Sequence, residues 1–463
     1  MYNFKKLVLG VAPTRRDTFP PPAGARAVKG GMMKKLNEIF AKIENLEIVD
    51  IEDINEEGLV YSYADVDKIV KKFQNAGVNA VFFPHCNFGQ EEPLAMIAKK
   101  LGVPALLWGP RDECPPDPNV SPNRQTDIQC GLFATTKAFT RYDVPFTYIE
   151  NCWLDSPVLE KGIKDFVRVS STVKAFRDTR ILQLSVRPRQ FLSVKVNESE
   201  LLERFGIEVV PVESAEIIRT VNEVKESKKD KVAAIVAEWK KDYNVINTTD
   251  ENLFDMAAIA TAIEHLAEIY LCNVVSGECW SMFRSNYGIG VCFVWGYLTG
   301  KGLPVACETD IHGSVTSSML MGCVRGDVDT FLADITIRHP TNDNAELFWH
   351  CGPFPASLAK KGIQKGIKAG KGSYELEHCD YTLCRFDQEK SNYSIFIGEG
   401  KGVDGPATDG NYVWIETANW VEWEKQLMYG PYIHHCVGAP GKYKEVMIEA
   451  CKYIPGLRAD PAV

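Results

Sequence analysis

The sequence predicts an α/β protein with two doubly wound units followed by an antiparallel β unit, for which a barrel is one arrangement. Through the first two thirds of the chain, short apolar runs alternate with helix-like segments and end in polar or glycine-containing turns, as in parallel sheets. After residue 326 the strands become short and alternating, with glycine-rich connections, which favours antiparallel pairing. A chain of 463 residues exceeds one hydrophobic core, so we expect domains at 1–173, 174–325 and 326–463.

The first unit is predicted from apolar strands separated by helices. Strands are expected at residues 6–11, 47–50, 78–84 and 105–108, and helices at 25–43, 64–76 and 91–101. Polar turns follow two of these strands, around Arg15-Arg16 and at Asn87. Parallel strands present their carboxyl ends at one edge of a sheet, where ligands bind. The first unit therefore carries a candidate binding edge.

The second unit is predicted to continue this alternation. Strands are expected at 181–186, 207–212 and 303–307, and helices at 198–205, 231–241, 251–270 and 288–298. The apolar run 303–307 ends abruptly in Glu308, and the run 331–337 carries Asp334 between apolar residues. A lone acid in such a run is costly to bury unless it is paired, hydrogen-bonded or bound to a metal. Two such acids suggest a shared site.

Four side chains have the chemistry of ligands for a hard divalent cation. Such ions prefer oxygen ligands and accept imidazole. The candidates are Glu308, Asp334, His350 and His435, each at the end of, or within, an apolar segment. Taken singly, a strand-end acid can cap a helix, and a histidine after Phe-Trp can be a hydrogen-bonded core residue. Because the chain has only eight histidines and no competing histidine cluster, the set is a reasonable metal site.

The composition argues against several classes of protein. A net charge of −9 disfavours nucleic acid as a partner, and no apolar run reaches the roughly 18 residues of a membrane helix. The N-terminal segment lacks the pattern of a signal peptide. The fourteen cysteines are scattered without a CxxC pair, so we expect reduced, mostly buried thiols in a cytoplasmic protein. The lysine-rich segment 360–371 is interpreted as a solvated loop.

Eight segments carry a resemblance to a known family. They are GVAPTRRDTF at 10–19, NFGQEE at 87–92, CETDIHGSVT at 307–316, FLADI at 331–335, FWHCG at 348–352, RFDQ at 385–388, IGEG at 397–400 and GPYIHHCVG at 430–438. Nearly from end to end, the chain resembles the L-fucose isomerase / L-arabinose isomerase superfamily, especially its shorter fucose-isomerase-like members. The resemblance implies two Rossmann-like N-terminal domains, a C-terminal β-barrel domain and a homo-oligomer, either a hexamer or a trimer or tetramer.

The resemblance also implies an aldose–ketose isomerase that uses Mn²⁺, or another divalent cation such as Mg²⁺ or Co²⁺, on a free sugar of the L-fucose, D-arabinose or L-arabinose kind. By position, Glu308 and Asp334 match the family's carboxylate ligands and acid/base pair, and His435 matches its C-terminal histidine ligand. His350 resembles an additional histidine of the arabinose branch. His434 could exchange roles with His435.

Substrate contacts are implied at Arg16, Asn87, Phe88, Trp280 and His434. Arg16 and Asn87 are expected to reach a neighbouring subunit's pocket, although Arg16 could instead only pair with a surface acid. The chain departs from the family at Met282, where many short members carry glutamate, and a different sugar preference would follow if that glutamate touches substrate.

Two other functions remain compatible with this sequence. Two Rossmann-like lobes also build sugar receptors, so a sugar-binding protein is one alternative. A lyase or epimerase is the other, since enediol chemistry on the same metal site serves several outcomes. In an isomerase, a metal polarises the sugar carbonyl, and two carboxylates move the proton between C1 and C2 through a cis-enediol.

Overall fold

The computed structural model describes residues 2–18, 22–111 and 126–462, apart from the side chains of residues 22–24. The chain divides into two compact units, one formed by Lys5–Lys174 and the other by Met1–Phe4 with Ala175–Val463. The second unit contains both a parallel sheet and a barrel. The division into three domains at 173 and 325 stays a prediction.

The unit Lys5–Lys174 is built on a parallel five-stranded sheet. Its strands are Leu7–Val11, Leu46–Val49, Ala80–Pro84, Ala105–Trp108 and Thr147–Tyr148, and its helices are Pro22–Phe40, Val66–Asn75, Glu91–Leu101, Ile128–Arg141 and Pro157–Arg177. Side chains of successive strand residues pack into two hydrophobic cores, one on each face of the sheet. Phe82 packs on one face and Phe83 on the other. Both faces are covered by helices, so the sheet is doubly wound as predicted.

A second parallel sheet has four strands and lies in the other unit. Its strands are Arg180–Leu184, Glu208–Val212, Val274–Gly277 and Val305–Cys307, and the associated helices are Glu198–Phe205, Ser214–Ser227, Lys229–Asp242, Asp250–Ile269, Met282–Tyr287, Cys292–Gly300 and Ile311–Val324. The helix predicted at 288–298 starts later than expected. Gly288, with φ of 69°, caps Met282–Tyr287 in the left-handed conformation that glycine favours, and the next helix begins at Cys292.

Six antiparallel strands close into a barrel. In order around the ring they are Asn392–Val403, Asp380–Glu389, His435–Pro440, Phe331–Arg338, Ala345–His350 and Asn411–Glu416, which pairs again with the first. Closure leaves no free edge within the ring. Strands Leu457–Pro461, Lys371–Glu375, Gly366–Lys368 and Asn244–Ile246 extend the sheet outside the ring, and helices Trp420–Tyr429 and Lys444–Cys451 complete the fold. The predicted fold class is confirmed.

The interpretation of residues 360–371 as a solvated loop holds for 360–365, which are mostly exposed and outside any strand, but is wrong from residue 366 onward. Strands Gly366–Lys368 and Lys371–Glu375 pair as an antiparallel hairpin. Its two-residue turn has positive φ at both positions, 50° at Ala369 and 77° at Gly370, which matches the right-handed twist of the flanking strands. Among the described helices, none is long and apolar enough to span a membrane.

Candidate functional site

A strained turn holds Glu308 at the carboxyl end of the four-stranded sheet. The turn follows strand Val305–Cys307 directly. Glu308 and Thr309 have φ values of 119° and 58°, which cost non-glycine residues about 1–3 kcal/mol each. The Thr309 N–H donates to the Gly277 carbonyl of the neighbouring strand at 3.2 Å. The turn is therefore tied to the sheet, and the Glu308 carboxylate is held at the edge where ligands bind in parallel sheets.

The barrel brings Asp334 and His435 to the same place. These residues face each other on neighbouring antiparallel strands. His435 Nε2 lies 3.4 Å from Asp334 Oδ1 and 3.6 Å from Glu308 Oε2. Among the described residues, Asp334 Oδ1 and His435 Nε2 have no hydrogen-bond partner although both atoms are buried. Two carboxylates and one imidazole nitrogen thus converge with buried donor atoms unsatisfied, as candidate ligands would.

Asp310 fixes the orientation of the His435 ring. His435 Nδ1 lies 2.9 Å from Asp310 Oδ2, and Arg385 pairs with both oxygens of the same carboxylate. Burial opposes ionisation of Asp310, but the Arg385 guanidinium and His435 outweigh it and hold the pKa of Asp310 well below its usual range. The carboxylate is therefore ionised and accepts the His435 Nδ1–H, which leaves Nε2 as the nitrogen that faces the acids.

The Asp310 contact continues into a buried chain of charges. The Arg385 Nε–H donates to Asp387 Oδ2 at 2.9 Å, and Asp387 Oδ1 lies 3.1 Å from His312 Nδ1. Asp310 also caps helix Ile311–Val324 by accepting the Gly313 N–H at 2.9 Å. The Asp310 and Asp387 carboxylates both pair with the Arg385 guanidinium, as buried charges require. This network joins a barrel strand to the helix that follows Glu308, and sequence reasoning did not single out Asp310 or Arg385.

Aromatic side chains lie beside the acids. The Phe191 ring stacks on the His435 ring at 6.2 Å and meets Trp280 edge-on at 5.2 Å. His434 is 45% exposed, and its Nε2 is 3.9 Å from Asp334 Oδ1. Glu278 accepts the Trp280 N–H at 2.7 Å and so holds that loop. Aromatic walls with a few polar groups are typical of small-molecule sites. Phe191 was missed because it lies in a loop without a motif.

His350 approaches the same acid from the next strand of the barrel. Its side chain is 1% exposed, and its Nε2 lies 3.9 Å from Asp334 Oδ1. His350 Nδ1 accepts the Cys351 N–H at 2.9 Å, so a neutral ring carries its proton on Nε2. A protonated nitrogen has no lone pair for a cation. The Nε2 atom is buried without a hydrogen-bond partner among the described residues, and it lies within 4.8 Å of ligand atoms of Cys307 and Glu308. A metal-ligand role for His350, which would require the other tautomer, stays a prediction.

Met282 is the position at which the sequence is predicted to depart from the superfamily that it resembles. Its side chain is buried in the hydrophobic core of the four-stranded sheet. The backbone of the preceding residues is held by Glu278, which accepts the N–H groups of Ser281 and Met282 at 2.8 and 3.2 Å. Position 282 therefore presents no polar group in this chain.

Arg16, Asn87 and Phe88 lie together in the unit Lys5–Lys174. The Arg16 N–H donates to Asn87 Oδ1 at 2.8 Å, and its guanidinium lies over the Phe88 ring at 4.1 Å. Arg16 also pairs with Glu91 at 2.6 Å, so the predicted pairing with an acid does occur. Its Nε is nevertheless buried and has no hydrogen-bond partner within the described part of the chain. The residues follow neighbouring parallel strands, at the edge where a ligand was expected.

Known proteins share similarity with most of this chain. The model of the family described as "Fucose/sulfoquinovose isomerase, N-terminal domain" matches residues 10–177. The sulfoquinovose isomerase of Priestia megaterium is 23% identical over 403 residues, which cover 85% of this chain and 88% of that protein. That of Alkalicoccus urumqiensis is 24% identical over 336 residues, covering 71% and 73%. The resemblance to a fucose isomerase-like superfamily that the sequence predicted is confirmed. The predicted enzyme class, an aldose–ketose isomerase, is likewise confirmed.

In this fucose isomerase-like protein, the donor atoms at the junction of sheet and barrel fit a hard divalent cation. Glu308 and Asp334 offer carboxylate oxygens and His435 offers Nε2, the mixture that Mn²⁺-class ions accept. The fit rests on the unsatisfied buried atoms of Asp334 and His435. A bound dication would also offset the negative charge that Glu308 and Asp334 place beside His435.

Proposed function

We propose that the protein is a divalent-metal-dependent isomerase that interconverts a free aldose and its ketose. Glu308, Asp334 and His435 would hold the ion, which is Mn²⁺ or a related dication such as Mg²⁺ or Co²⁺. The observation that carries the proposal is the convergence of Glu308 and Asp334 on His435 Nε2, at 3.6 and 3.4 Å. When bound, the ion supplies a Lewis acid that polarises the sugar carbonyl.

The side chains around that point can move the protons of the reaction. Glu308 and Asp334 act as the acid/base pair that removes the proton from C2 of the aldose and returns it to C1 through a cis-enediol. His350, with its proton on Nε2, donates a hydrogen bond to Asp334 or to a sugar oxygen. Phe191, Trp280 and His434 provide the wall against which the sugar ring or chain packs.

A panel of sugars in D₂O tests this function. Mn²⁺-loaded protein is incubated with L-fucose, D-arabinose, L-arabinose and sulfoquinovose, and the products are followed by NMR. Sulfoquinovose is included because the similar proteins are named sulfoquinovose isomerases. We expect one aldose to give its ketose with deuterium at C1 or C2, since the enediol exchanges its proton with solvent. A ketose free of deuterium would indicate a hydride shift. A C2 epimer or a cleaved sugar as the main product would replace the isomerase with an epimerase or a lyase.

We further propose a homo-oligomer in which Arg16 and Asn87 of one subunit complete the sugar site of a neighbour. Support comes from the shared edge on which these residues lie and from the unsatisfied Arg16 Nε. The expected result is complementation: Arg16→Ala and Asp334→Asn proteins are each inactive, but a co-expressed mixture recovers part of the activity. Recovery follows because mixed oligomers contain sites with both intact residues.

The control for complementation is to measure the mass and subunit composition of the mixed oligomers. Differently tagged subunits are purified in tandem, so that only hybrids are assayed, and light scattering gives their mass. Purified hybrids without any recovered activity, or a fully active monomer, would contradict the shared site.

A further inference from the structure

Three cysteines form a buried cluster that the proposed isomerase reaction does not use. The Sγ atoms of Cys279, Cys292 and Cys351 lie within 4.8 Å of one another, and those of Cys279 and Cys292 are 2.8 Å apart. Cys279 and Cys292 are only 7% and 3% exposed, and Cys351 is half-buried. No disulfide joins any of the thirteen cysteines that the structure describes. The cluster is therefore a set of three free thiols.

The three thiols come from three separate segments of the chain. Cys279 lies in the loop after strand Val274–Gly277, Cys292 is the first residue of helix Cys292–Gly300, and Cys351 follows strand Ala345–His350. The parallel sheet, a helix and the barrel thus each contribute one sulfur. Their convergence is a property of the tertiary structure, which is why the sequence, with no CxxC pair, gave no sign of it.

Ordinary core packing does not explain this arrangement. A buried free cysteine usually behaves as a small apolar side chain among aliphatic neighbours. Non-bonded carbon atoms already prefer separations of about 3.5–4.0 Å, and sulfur is larger, so 2.8 Å between Cys279 and Cys292 Sγ is a close approach. At this distance the two sulfurs share a proton; on one tetrahedral ion with bonds of about 2.3 Å they would lie about 3.8 Å apart, so ion binding moves them apart by about 1 Å. A disulfide would use two of the three sulfurs and would need an oxidant.

We propose that Cys279, Cys292 and Cys351 bind one thiophilic cation of the Zn²⁺ class. Thiolates are the ligands that such soft or borderline ions select, and Zn–S bonds of about 2.3 Å are within reach of sulfurs spaced as these are. The three sulfur ligands also give this site a different metal preference from that of Glu308, Asp334 and His435, whose oxygen and nitrogen donors suit harder ions.

The position of the cluster gives the ion a structural role. Cys279 precedes Trp280, and Cys351 follows His350, so the ligands are next neighbours of two residues at the sugar site. A bound ion would tie the Trp280 loop to the end of the barrel strand that carries His350. An ion that binds only the folded state stabilises it by mass action, and thiolate sites commonly add to folding stability.

Cadmium is the probe for this site because Cd²⁺–thiolate bonds give an ultraviolet charge-transfer band. Protein purified with a reductant and stripped with a chelator is titrated with Cd²⁺, and Zn²⁺ is then added as a competitor. We expect one Cd²⁺ per chain to generate the band and Zn²⁺ to remove it. Cys279→Ala, Cys292→Ala and Cys351→Ala should each lower the Cd²⁺ affinity by at least about tenfold, since one of three ligands is lost.

Two control variants test whether the Cd²⁺ band depends specifically on these three cysteines. Cys272→Ala removes a thiol that is 9% exposed and belongs to the same hydrophobic core, and it should keep the band. Glu308→Gln alters the proposed Mn²⁺ site and should also keep the band, so failure of the isomerase proposal and failure of the thiolate proposal are distinguishable. Circular dichroism of the metal-free proteins shows whether each variant is folded.

A variant that does not fold is replaced by a measurement on the wild-type protein. Added Zn²⁺ should slow alkylation of Cys279, Cys292 and Cys351, as mapped by peptide mass spectrometry, and leave alkylation of Cys130 unchanged. Absence of a Cd²⁺ band in folded wild-type protein, or no protection of these thiols, would overturn the proposal. A Cys279–Cys292 disulfide in protein purified without added oxidant would overturn it in favour of a redox pair.

Discussion

Replacing Asp334 by asparagine is expected to slow isomerisation by about 10²- to 10⁴-fold while the barrel stays folded. The amide keeps the shape of the side chain but cannot accept the substrate proton at neutral pH. Because Asp334 Oδ1 has no hydrogen-bond partner among the described residues, the substitution removes a negative charge beside His435 but no hydrogen bond of that atom. The kcat for the sugar that is turned over best, together with circular dichroism, checks this expectation.

Asp343→Asn is the matched control for Asp334→Asn. Asp343 is an exposed acid in the turn between strands Phe331–Arg338 and Ala345–His350, so its loss should leave kcat unchanged. Metal content is measured in both variants to separate loss of the base from loss of a ligand. A near wild-type rate in Asp334→Asn would remove the proton-transfer role from this carboxylate.

The second large effect is expected on metal binding. Glu308→Gln and His435→Ala should each lose the one Mn²⁺ per chain that the wild-type protein retains through gel filtration, because each removes one of three proposed ligands. Elemental analysis gives the metal content. Added Mn²⁺ should raise the Tm of the wild-type protein and have little effect on either variant, since binding to the folded state is the source of the stabilisation.

His339→Ala serves as the control for these two variants. His339 lies elsewhere in the same unit, with its ring against Trp414 at 4.9 Å, and its loss should change neither metal content nor the response of Tm to Mn²⁺. Glu308→Gln is the cleaner of the two test variants, because His435→Ala also leaves the buried Asp310 carboxylate without one of its donors. Unchanged metal content in both would refute the ligand assignment.

The pH dependence of metal binding gives a further readout of the same site. Burial disfavours the charged form of His435, but the hydrogen bond to Asp310 and the nearby carboxylates of Glu308 and Asp334 outweigh this and raise its pKa to about 9. Below that pH the ion must displace a proton, so Mn²⁺ affinity should fall by about tenfold per pH unit. Calorimetric titrations between pH 6 and 9 in buffers of different ionisation enthalpy measure both the affinity and the proton release.

The free energy of unfolding of the metal-free protein should fall as the pH rises, whereas Mn²⁺ affinity should increase. A raised folded-state pKa means that protonated His435 stabilises the fold fully below the unfolded-state value of about 6.5. This stabilisation is lost as the pH rises through about 9. The metal-free protein should therefore unfold more easily at pH 9 than at pH 6, with the difference reduced in His435→Ala.

The acids of the site could be predicted because each interrupts an apolar run. Glu308 ends a buried strand and Asp334 lies within one, and such a break is visible in a single sequence. The choice between His434 and His435 was not visible, since the two are adjacent. That choice depends on Asp310, whose carboxylate meets His435 from a helix N-terminus 125 positions earlier in the chain. No periodicity records such a contact.

The strands with an apolar sequence pattern could be predicted, whereas the strands rich in lysine and glycine could not. Seven of the nine strands described in the two parallel sheets are apolar runs whose ends were predicted within about two residues, whereas Thr147–Tyr148 and Val274–Gly277 were not predicted. The hairpin Gly366–Lys368 and Lys371–Glu375 has strands rich in lysine and glycine, and its pairing comes from backbone hydrogen bonds, which leave no apolar pattern. Similarly, the buried ion pair of Arg385 with Asp310 joins residues that are 75 positions apart in the sequence.

The positive φ angles at Glu308 and Thr309 have a consequence for protein engineering. Part of the free energy of folding is held as local strain at the corner that positions the acid, so substitutions that relax this corner are an accessible route to a higher melting temperature. A library screened for heat resistance alone will be enriched in variants such as Thr309→Gly, in which the corner is loosened and turnover declines. Engineering for a higher melting temperature should therefore leave residues 308–310 unchanged and substitute residues on the outside of the barrel, so that turnover is retained.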